Sequence, residues 1–291
     1  MKPLKIIKWA IALLILGFLI NYLIKNINQV DWSLVSFNYL YLIIAIIIII
    51  ISYLFQSILW WLILRKKGLK YSKAHKIYFS SLVGRYVPGK ALLVITRILR
   101  CKKQGIKKST SFTSIILDLA LYSLSAILLF IITLPNSIPK ELTLPLIIIG
   151  ILLLPLIHPK ILKFGINLGL KILKKPKIRF RMKFHNSLGL LLLHIIRWFL
   201  LGIGTFFLLI SFIQVPISLI YILPGILALS IVLGMLMILS PGGLGIREGL
   251  LVLLLTPYMP VELAILFSLI SRILLTLIEA GLALYFEIKP Q

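Results

Sequence analysis

Long apolar runs constrain this chain more than any other feature of its sequence. The clearest is Leu40–Leu64, LYLIIAIIIIIISYLFQSILWWLIL, which contains no charged residue. It is longer than the roughly 20 apolar residues that a helix needs to cross a bilayer. Lipid offers no hydrogen-bond partners to the backbone, so a spanning segment of this kind has to be helical. The sequence therefore predicts an all-α, polytopic membrane protein.

The composition supports one integral membrane domain. The chain of 291 residues is 60% hydrophobic and 13% charged, whereas a soluble domain is about 25% charged. We expect about 6–8 membrane helices in a single domain that covers residues 1–291. Simple crossings are predicted near residues 6–24, 40–64, 110–133, 142–158, 187–211 and 261–286.

Positive charge is concentrated between the apolar runs. The formal net charge is +25, and 24 of the 32 basic residues lie in four clusters, at residues 2–8, 65–76, 97–108 and 160–183. The positive-inside rule places such clusters on the cytoplasmic side of the cell membrane. We interpret them as topology signals that also attract anionic lipid headgroups, and not as a nucleic-acid surface. The N-terminus is accordingly expected in the cytoplasm, and residues 158–186 are predicted to form a basic cytoplasmic loop with amphipathic character.

Two segments do not fit simple crossings. Residues 77–99 have basic loops on both sides, so a full crossing would put six positive charges on the wrong face. We predict that this segment is re-entrant and turns at a Pro-Gly pair. Residues 218–257 are interrupted by SPGGLGIRE, which predicts a broken helix whose second piece is Ile246–Leu255. One such interruption in each half indicates a transporter with a site near the bilayer midplane. The residues assigned to the two breaks are Pro88, Gly89, Pro241, Gly242, Gly243 and Gly245.

The stretch GRYVPGK also has the spacing of an ATP-binding loop. Gly84, Gly89 and Lys90 match the pattern, but Ala91 stands where Ser or Thr would bind Mg²⁺, and neither flank forms a βαβ unit. We therefore do not interpret it as a nucleotide site. Helices that start at the two breaks would instead present unpaired N–H groups and a positive dipole end to the phosphate of a lipid headgroup.

Ionisable residues inside apolar segments are functional candidates, because they are costly in lipid. Asp118 belongs to a stripe of polar residues at spacings of three and four, so it is expected to face the interior. It either lines a polar cavity or bonds a neighbouring helix as part of the packing. The stripe consists of Ser111, Ser114, Asp118, Tyr122 and Ser125.

The last apolar segment carries a second polar stripe. Its members are Ser268, Arg272, Thr276 and Glu279. Arg272 and Glu279 are about 10 Å apart along a helix, too far for a direct pair. Each needs a partner from another segment, and Arg97 and Glu248 are the expected ones.

The candidate site therefore combines cations that bind a lipid phosphate with buried carboxylates that balance them. The cations are Arg85, Lys90, Arg97, Arg247 and Arg272; the carboxylates are Asp118, Glu248 and Glu279. The histidines at 75, 158, 185 and 194 show no metal-ligand spacing, although His194 and Arg197 share one face of a span and can line a cavity. We predict no metal site, no cofactor and no catalytic residue.

Two motifs resemble a known family. GRYVPGK followed by Arg97, and SPGGLGIREGL followed by Arg272 and Glu279, resemble the lysylphosphatidylglycerol synthase transmembrane-region family of flippase-like membrane proteins. The resemblance covers nearly the whole chain and implies a helical bundle with re-entrant segments. In bacterial multiple peptide resistance factors this region moves aminoacylated phosphatidylglycerol between leaflets. Those proteins also carry an aminoacyl-transferase domain that is not expected here. Where relatives often have Glu-Arg, this chain has Asp118-Leu119, so the arginine of that pair is missing.

Three functions follow as hypotheses. The leading one is a lipid translocase that moves a phospholipid or a lipid-linked headgroup between leaflets. The second is a membrane-embedded transferase that modifies a lipid, since cations and a carboxylate at a phosphate suit that chemistry as well. The third is a membrane partner subunit of a separate synthase.

Overall fold

The structure, a computed structural model, describes residues 35–82, 91–134, 140–236 and 245–288, together with residues 24, 84 and 138. These residues contain ten α-helices and no strand, which confirms the all-α prediction. In chain order the helices are α1 (Tyr39–Leu64), α2 (Tyr71–Leu82), α3 (Ala91–Lys103), α4 (Lys108–Ile132), α5 (Lys140–Leu153), α6 (Pro159–Ile172), α7 (Phe184–Ile210), α8 (Leu219–Leu236), α9 (Ile246–Leu255) and α10 (Val261–Ile288).

Four of the described helices, α1, α4, α7 and α10, are long and apolar enough to cross a membrane. They coincide with four of the predicted crossings. The crossing predicted at 142–158 corresponds to α5 and a following 3-10 helix, Leu154–Ile157. This segment and α6 form a bent pair, and the count is five if that pair is one span. Of the crossing predicted at 6–24, all but residue 24 lies outside the described residues.

The ends of α1 follow from local sequence. Asn38 precedes the helix, and its Oδ1 accepts the N–H groups of Leu40 and Tyr41 at 3.1 and 3.3 Å, as expected of an N-cap. The helix ends at the basic 3-10 helix Arg65–Lys67, after which Gly68 adopts φ 85°, a left-handed conformation that favours glycine.

Helices α1 and α7 run antiparallel. The N–H of Asn38 donates to the carbonyl of Ser211 at 2.7 Å, and further along α1 the Ser52 hydroxyl donates to the carbonyl of Arg197 at 3.2 Å. The end of α1 therefore lies where α7 begins. We call this side the basic face, because the clusters at 65–76, 97–108 and 160–183 adjoin it; the opposite side is the far face.

Helices α2 and α3 form a hairpin that starts and ends at the basic face. Arg97 Nε donates to Ser81 Oγ at 3.0 Å, and a Cβ on Gly84 would overlap the backbone nitrogen of Leu93. The chain therefore doubles back, as predicted for residues 77–99, and glycine at 84 permits the close approach. The predicted turn at Pro88 and Gly89 lies outside the described residues.

Helices α8 and α9 form a second hairpin, at the far face. Helix α8 follows the end of α7 after a short turn, in which Leu219 N–H donates to the carbonyl of Pro216. Helix α9 ends at Leu255, just before α10 begins, and the rings of Phe212 and Phe267 lie 6.4 Å apart, so the start of α10 is near the end of α7. Helix α9 has the predicted bounds, whereas the break at 237–244 lies outside the described residues.

The end of α10 returns to the basic face. Both terminal nitrogens of Arg100, in the last turn of α3, donate to the Glu287 carboxylate at 2.9 and 3.0 Å. This contact fixes the side on which α10 ends.

The two halves of the bundle have inverted topologies. The first half (α1–α4) and the second half (α7–α10) each consist of a long helix, a hairpin and a long helix, but their hairpins enter from opposite faces. The packing follows the same symmetry, because α2 contacts α10 and α8 contacts α4. Inverted repeats of this kind are typical of secondary transporters.

Helices α5 and α6 connect the halves. Helix α6 bends by 105° away from α5 and the 3-10 helix that follows it, and one of its faces exposes apolar side chains at spacings of three and four. These are Ile161, Phe164, Leu168 and Ile172. A basic helix with an exposed apolar face is the pattern of a segment that lies on a membrane surface.

Close packing between α7 and α8 makes Gly202 a sensitive position. A Cβ on Gly202 would overlap Pro224 of α8, and overpacking costs about 1–3 kcal/mol. We expect Gly202→Ala to lower the thermal unfolding temperature of the detergent-solubilised protein. The control is Gly281→Ala in α10, where a Cβ meets no atom within 4 Å and alanine favours the helix. Equal effects of the two substitutions would contradict this packing.

Candidate functional site

Polar and charged side chains from five helices meet inside the bundle. We call this set the central polar network. Its members, each at most 9% exposed, are Tyr53, Gln56, Asp118, His194, Arg197, Arg247, Glu248, Arg272 and Glu279. Such groups are stable in an apolar bundle only when other helices supply hydrogen bonds or opposite charges.

At one end of the network Glu248 joins α9 to α10. Its Oε1 lies 3.3 Å from Arg272 Nη1, and its Oε2 accepts the N–H of Gly245 at 2.8 Å. Gly245 has φ 85°, which favours glycine, and the carboxylate stabilises the positive end of α9. Arg247 interacts electrostatically with Arg272 and Glu279. Within the part of the chain that the structure describes, its Nη2 has no hydrogen-bond partner.

In the middle of the network, Arg197 is held by aromatic rings. Its guanidinium carbon lies 4.5 Å from the ring centroid of Trp198, 5.3 Å from that of Tyr122 and 5.8 Å from that of Tyr53. Tyr53 in turn donates its hydroxyl to Glu279 Oε1 at 2.8 Å. Arg197 is 3% exposed, and its Nε and Nη1 have no hydrogen-bond partner among the described residues. Cation–π contacts stabilise the charge but leave these donors for an anion.

At the other end of the network, Asp118 connects α4 to two helices. Its Oδ1 accepts from Gln56 Nε2 at 3.3 Å and lies 3.6 Å from His194 Nε2. The whole stripe predicted around Asp118 is buried, which confirms that it faces the interior: Ser111, Ser114, Asp118, Tyr122 and Ser125. Asp118 therefore cross-links helices, the packing alternative, at a place that also adjoins Arg197.

Arg97 is buried between the first hairpin and α1. Besides its hydrogen bond to Ser81, its guanidinium carbon lies 4.4 Å from the ring centroid of Tyr78 and 4.9 Å from that of Trp60. Trp60 is itself fixed, because its Nε1 donates to Ser114 Oγ at 3.3 Å. The structure thus holds Arg97 at the junction of α1, α2, α3 and α4.

Among the described residues, buried arginines outnumber buried carboxylates. The arginines are Arg97, Arg197, Arg247 and Arg272; the carboxylates are Asp118, Glu248 and Glu279. With all of them ionised, one positive charge is left over. Planar guanidinium groups with free N–H donors suit a phosphate. The described residues also contain no group of three or more His, Cys, Asp or Glu side chains arranged to hold a metal ion.

The sequence identified part of this arrangement. The structure brings Glu248 and Arg272 together, which is one of the contacts expected between ionisable residues of different segments. It gives Glu279 a tyrosine partner that the sequence did not suggest. Arg85 and Lys90 lie outside the described residues, as do the predicted break residues Pro88, Gly89, Pro241, Gly242 and Gly243.

The sequence did not predict that Tyr53 and Gln56 belong to the site, nor that Arg197 lies at its centre. The available signal was weak: Ser52 and Gln56 are four residues apart in an otherwise apolar run, which places them on one face of α1.

Comparison with known families gives one match. The family model described as "Lysylphosphatidylglycerol synthase TM region" matches residues 5–281. The matched range includes both hairpins and every member of the central polar network. No curated protein matches the chain.

The contact between Glu248 and Arg272 predicts strong coupling. Glu248→Gln and Arg272→Met each leave an unbalanced buried charge, so we expect each to lower the free energy of unfolding by about 3 kcal/mol. The loss of unfolding free energy in the double variant should be at least about 1 kcal/mol smaller than the sum of the losses in the two single variants. Chemical denaturation in mixed micelles measures all three values.

The control cycle combines Arg272→Met with Glu262→Gln, which is about 15 Å away along α10. The changes in unfolding free energy of these two substitutions should be additive. Additivity of the Glu248 and Arg272 substitutions would contradict the pairing.

Proposed function

Since the chain belongs to the lysylphosphatidylglycerol synthase TM region family, we propose that it is a lipid translocase, which moves a phospholipid or lipid-linked headgroup between leaflets. The observation that carries the proposal is the central polar network, a buried group of charges where the inverted halves meet, in which Arg197 and Arg247 keep N–H groups that have no partner among the described residues. An unpaired charge at the bilayer centre costs about 3 kcal/mol or more. A path through the network lowers that cost, because its charged side chains pair with the charges of the headgroup.

Each part of the network has a role in this proposal. Arg197 and Arg247 donate their free N–H groups to the headgroup phosphate. Arg272 adds positive charge that Glu248 keeps in position. Arg97, in α3 of the first hairpin, adds positive charge beside the network, and Arg85 and Lys90 remain phosphate ligands predicted from the sequence alone. Asp118, Glu248 and Glu279 balance the arginines and are available to a cationic headgroup.

The inverted topology gives the headgroup an approach from either side. One hairpin enters from the basic face and the other from the far face, and the network lies beside both while the acyl tails stay in the bilayer. By the positive-inside rule we assign the basic face to the cytoplasm. A crossing at 6–24 then leaves the N-terminus on that side. Transport in this scheme is passive or ion-coupled.

The test is lipid exchange between leaflets of proteoliposomes that contain a phospholipid with a reporter on its headgroup. We expect wild-type protein to exceed protein-free liposomes. Arg197→Gln should lower the exchange rate about tenfold or more, a loss of about 1.4 kcal/mol. Glu248→Ala and Arg272→Ala should also abolish exchange. The control, Arg100→Gln, removes an arginine from a half-exposed pair and should stay within about twofold.

Each variant is first checked for folding by its thermal unfolding temperature. Wild-type protein that performs no better than protein-free liposomes, with several phospholipids and polyprenyl phosphates, would overturn the proposal. Formation of a modified lipid from a donor substrate would then favour the transferase. Normal exchange by folded Arg197→Gln would show that the lipid does not pass the network.

A further inference from the structure

We propose that the protein has a second anion site, which binds the phosphate of an anionic phospholipid at the basic face. It is a cavity of about 610 Å³ between the end of α1 and the start of α7, within the range of about 300–1,000 Å³ found for small-molecule sites. We call it the basic pocket. Its cationic lining residues are Arg65, Lys66, Arg181 and Lys183.

The cations of the basic pocket have no acidic partner. Among the described residues, no carboxylate forms a salt bridge with any of the four. Lys183 also occupies the N-cap of α7 without making a side-chain cap, so the positive end of this long helix adds to the same field. Glu141 and Glu262 lie in the first turns of α5 and α10, at the far face. The pocket therefore has a positive charge that an anion would neutralise.

The apolar part of the lining favours a lipid over a soluble anion. Leu62 and Ile63 of α1 and Leu193 of α7 line the pocket below the cations, and both helices are membrane-span candidates. A phospholipid fits a pocket whose lining changes from cationic to apolar with depth. Its phosphate lies at the level of the cations, while its glycerol and acyl chains contact the leucines. Basic pockets between membrane helices at this level are typical sites for anionic headgroups.

The basic pocket is distinct from the central polar network. The two share no residue. Leu190 and Leu191 of α7 pack against Leu117 and Leu121 of α4 in an apolar cluster of their own, on the stretch of helix that precedes His194. Binding in the pocket therefore does not depend on translocation, and the proposal stands if no lipid exchange is found.

The test is crosslinking with photoactivatable phosphatidylglycerol in nanodiscs of phosphatidylcholine, with the crosslinked peptide identified by mass spectrometry. We expect crosslinks at residues 62–66 and 181–193, displaced by unlabelled phosphatidylglycerol. The double variant Arg181→Gln/Lys183→Gln should lower the yield about tenfold, given the contribution of each cation near a membrane surface.

The matched control is Lys177→Gln/Arg179→Gln. It removes one lysine and one arginine, two residues apart, from the same loop, and neither lines the pocket. It should change the yield less than twofold. An equal loss in both variants would show diffuse attraction and overturn the proposal. Displacement by glycerol 3-phosphate as readily as by phosphatidylglycerol would overturn the lipid assignment in favour of a soluble phosphate. Crosslinks confined to residues of the central polar network would show that the lipid does not bind in the basic pocket and would overturn the site itself.

Discussion

The cost of a charge inside an apolar bundle determines how the rest of this structure is arranged. Each buried arginine or carboxylate would destabilise the folded protein by several kcal/mol if it had no partner. The helix that carries the charge rarely supplies that partner. Glu248 is paired across to α10, Glu279 accepts from α1, and Asp118 contacts α1 and α7. Two of these contacts, Glu279 with Tyr53 and Asp118 with His194, also hold the two halves together.

Short helices are the second part of this design. Because α9 begins inside the bundle, the N–H groups at its start need partners there, and Glu248 accepts the N–H of Gly245. A continuous helix would have satisfied those groups by itself. Helix α9 thus brings backbone polarity and side-chain charge to the same depth in the second half.

The two anion sites differ in their surroundings. The arginines of the central polar network are buried, so each depends on rings or carboxylates, and an anion there would replace missing partners. The cations of the basic pocket are exposed, and water already solvates them. We therefore expect binding in the pocket to be the more sensitive to salt, because exposed charges are screened and buried ones much less so.

The sequence by itself determined the membrane class, four long crossings, the bounds of α9 and the inward orientation of the polar stripe around Asp118. These follow from run length, charge and helical period, which are local properties. It also indicated the partner of Arg272, because few carboxylates lie in apolar segments. Only the tertiary structure decided that Tyr53 meets Glu279, that three rings surround Arg197, and that Arg65 and Arg181 line one pocket. Those contacts depend on the register between helices distant in sequence, and the period of a single helix carries no information about that register.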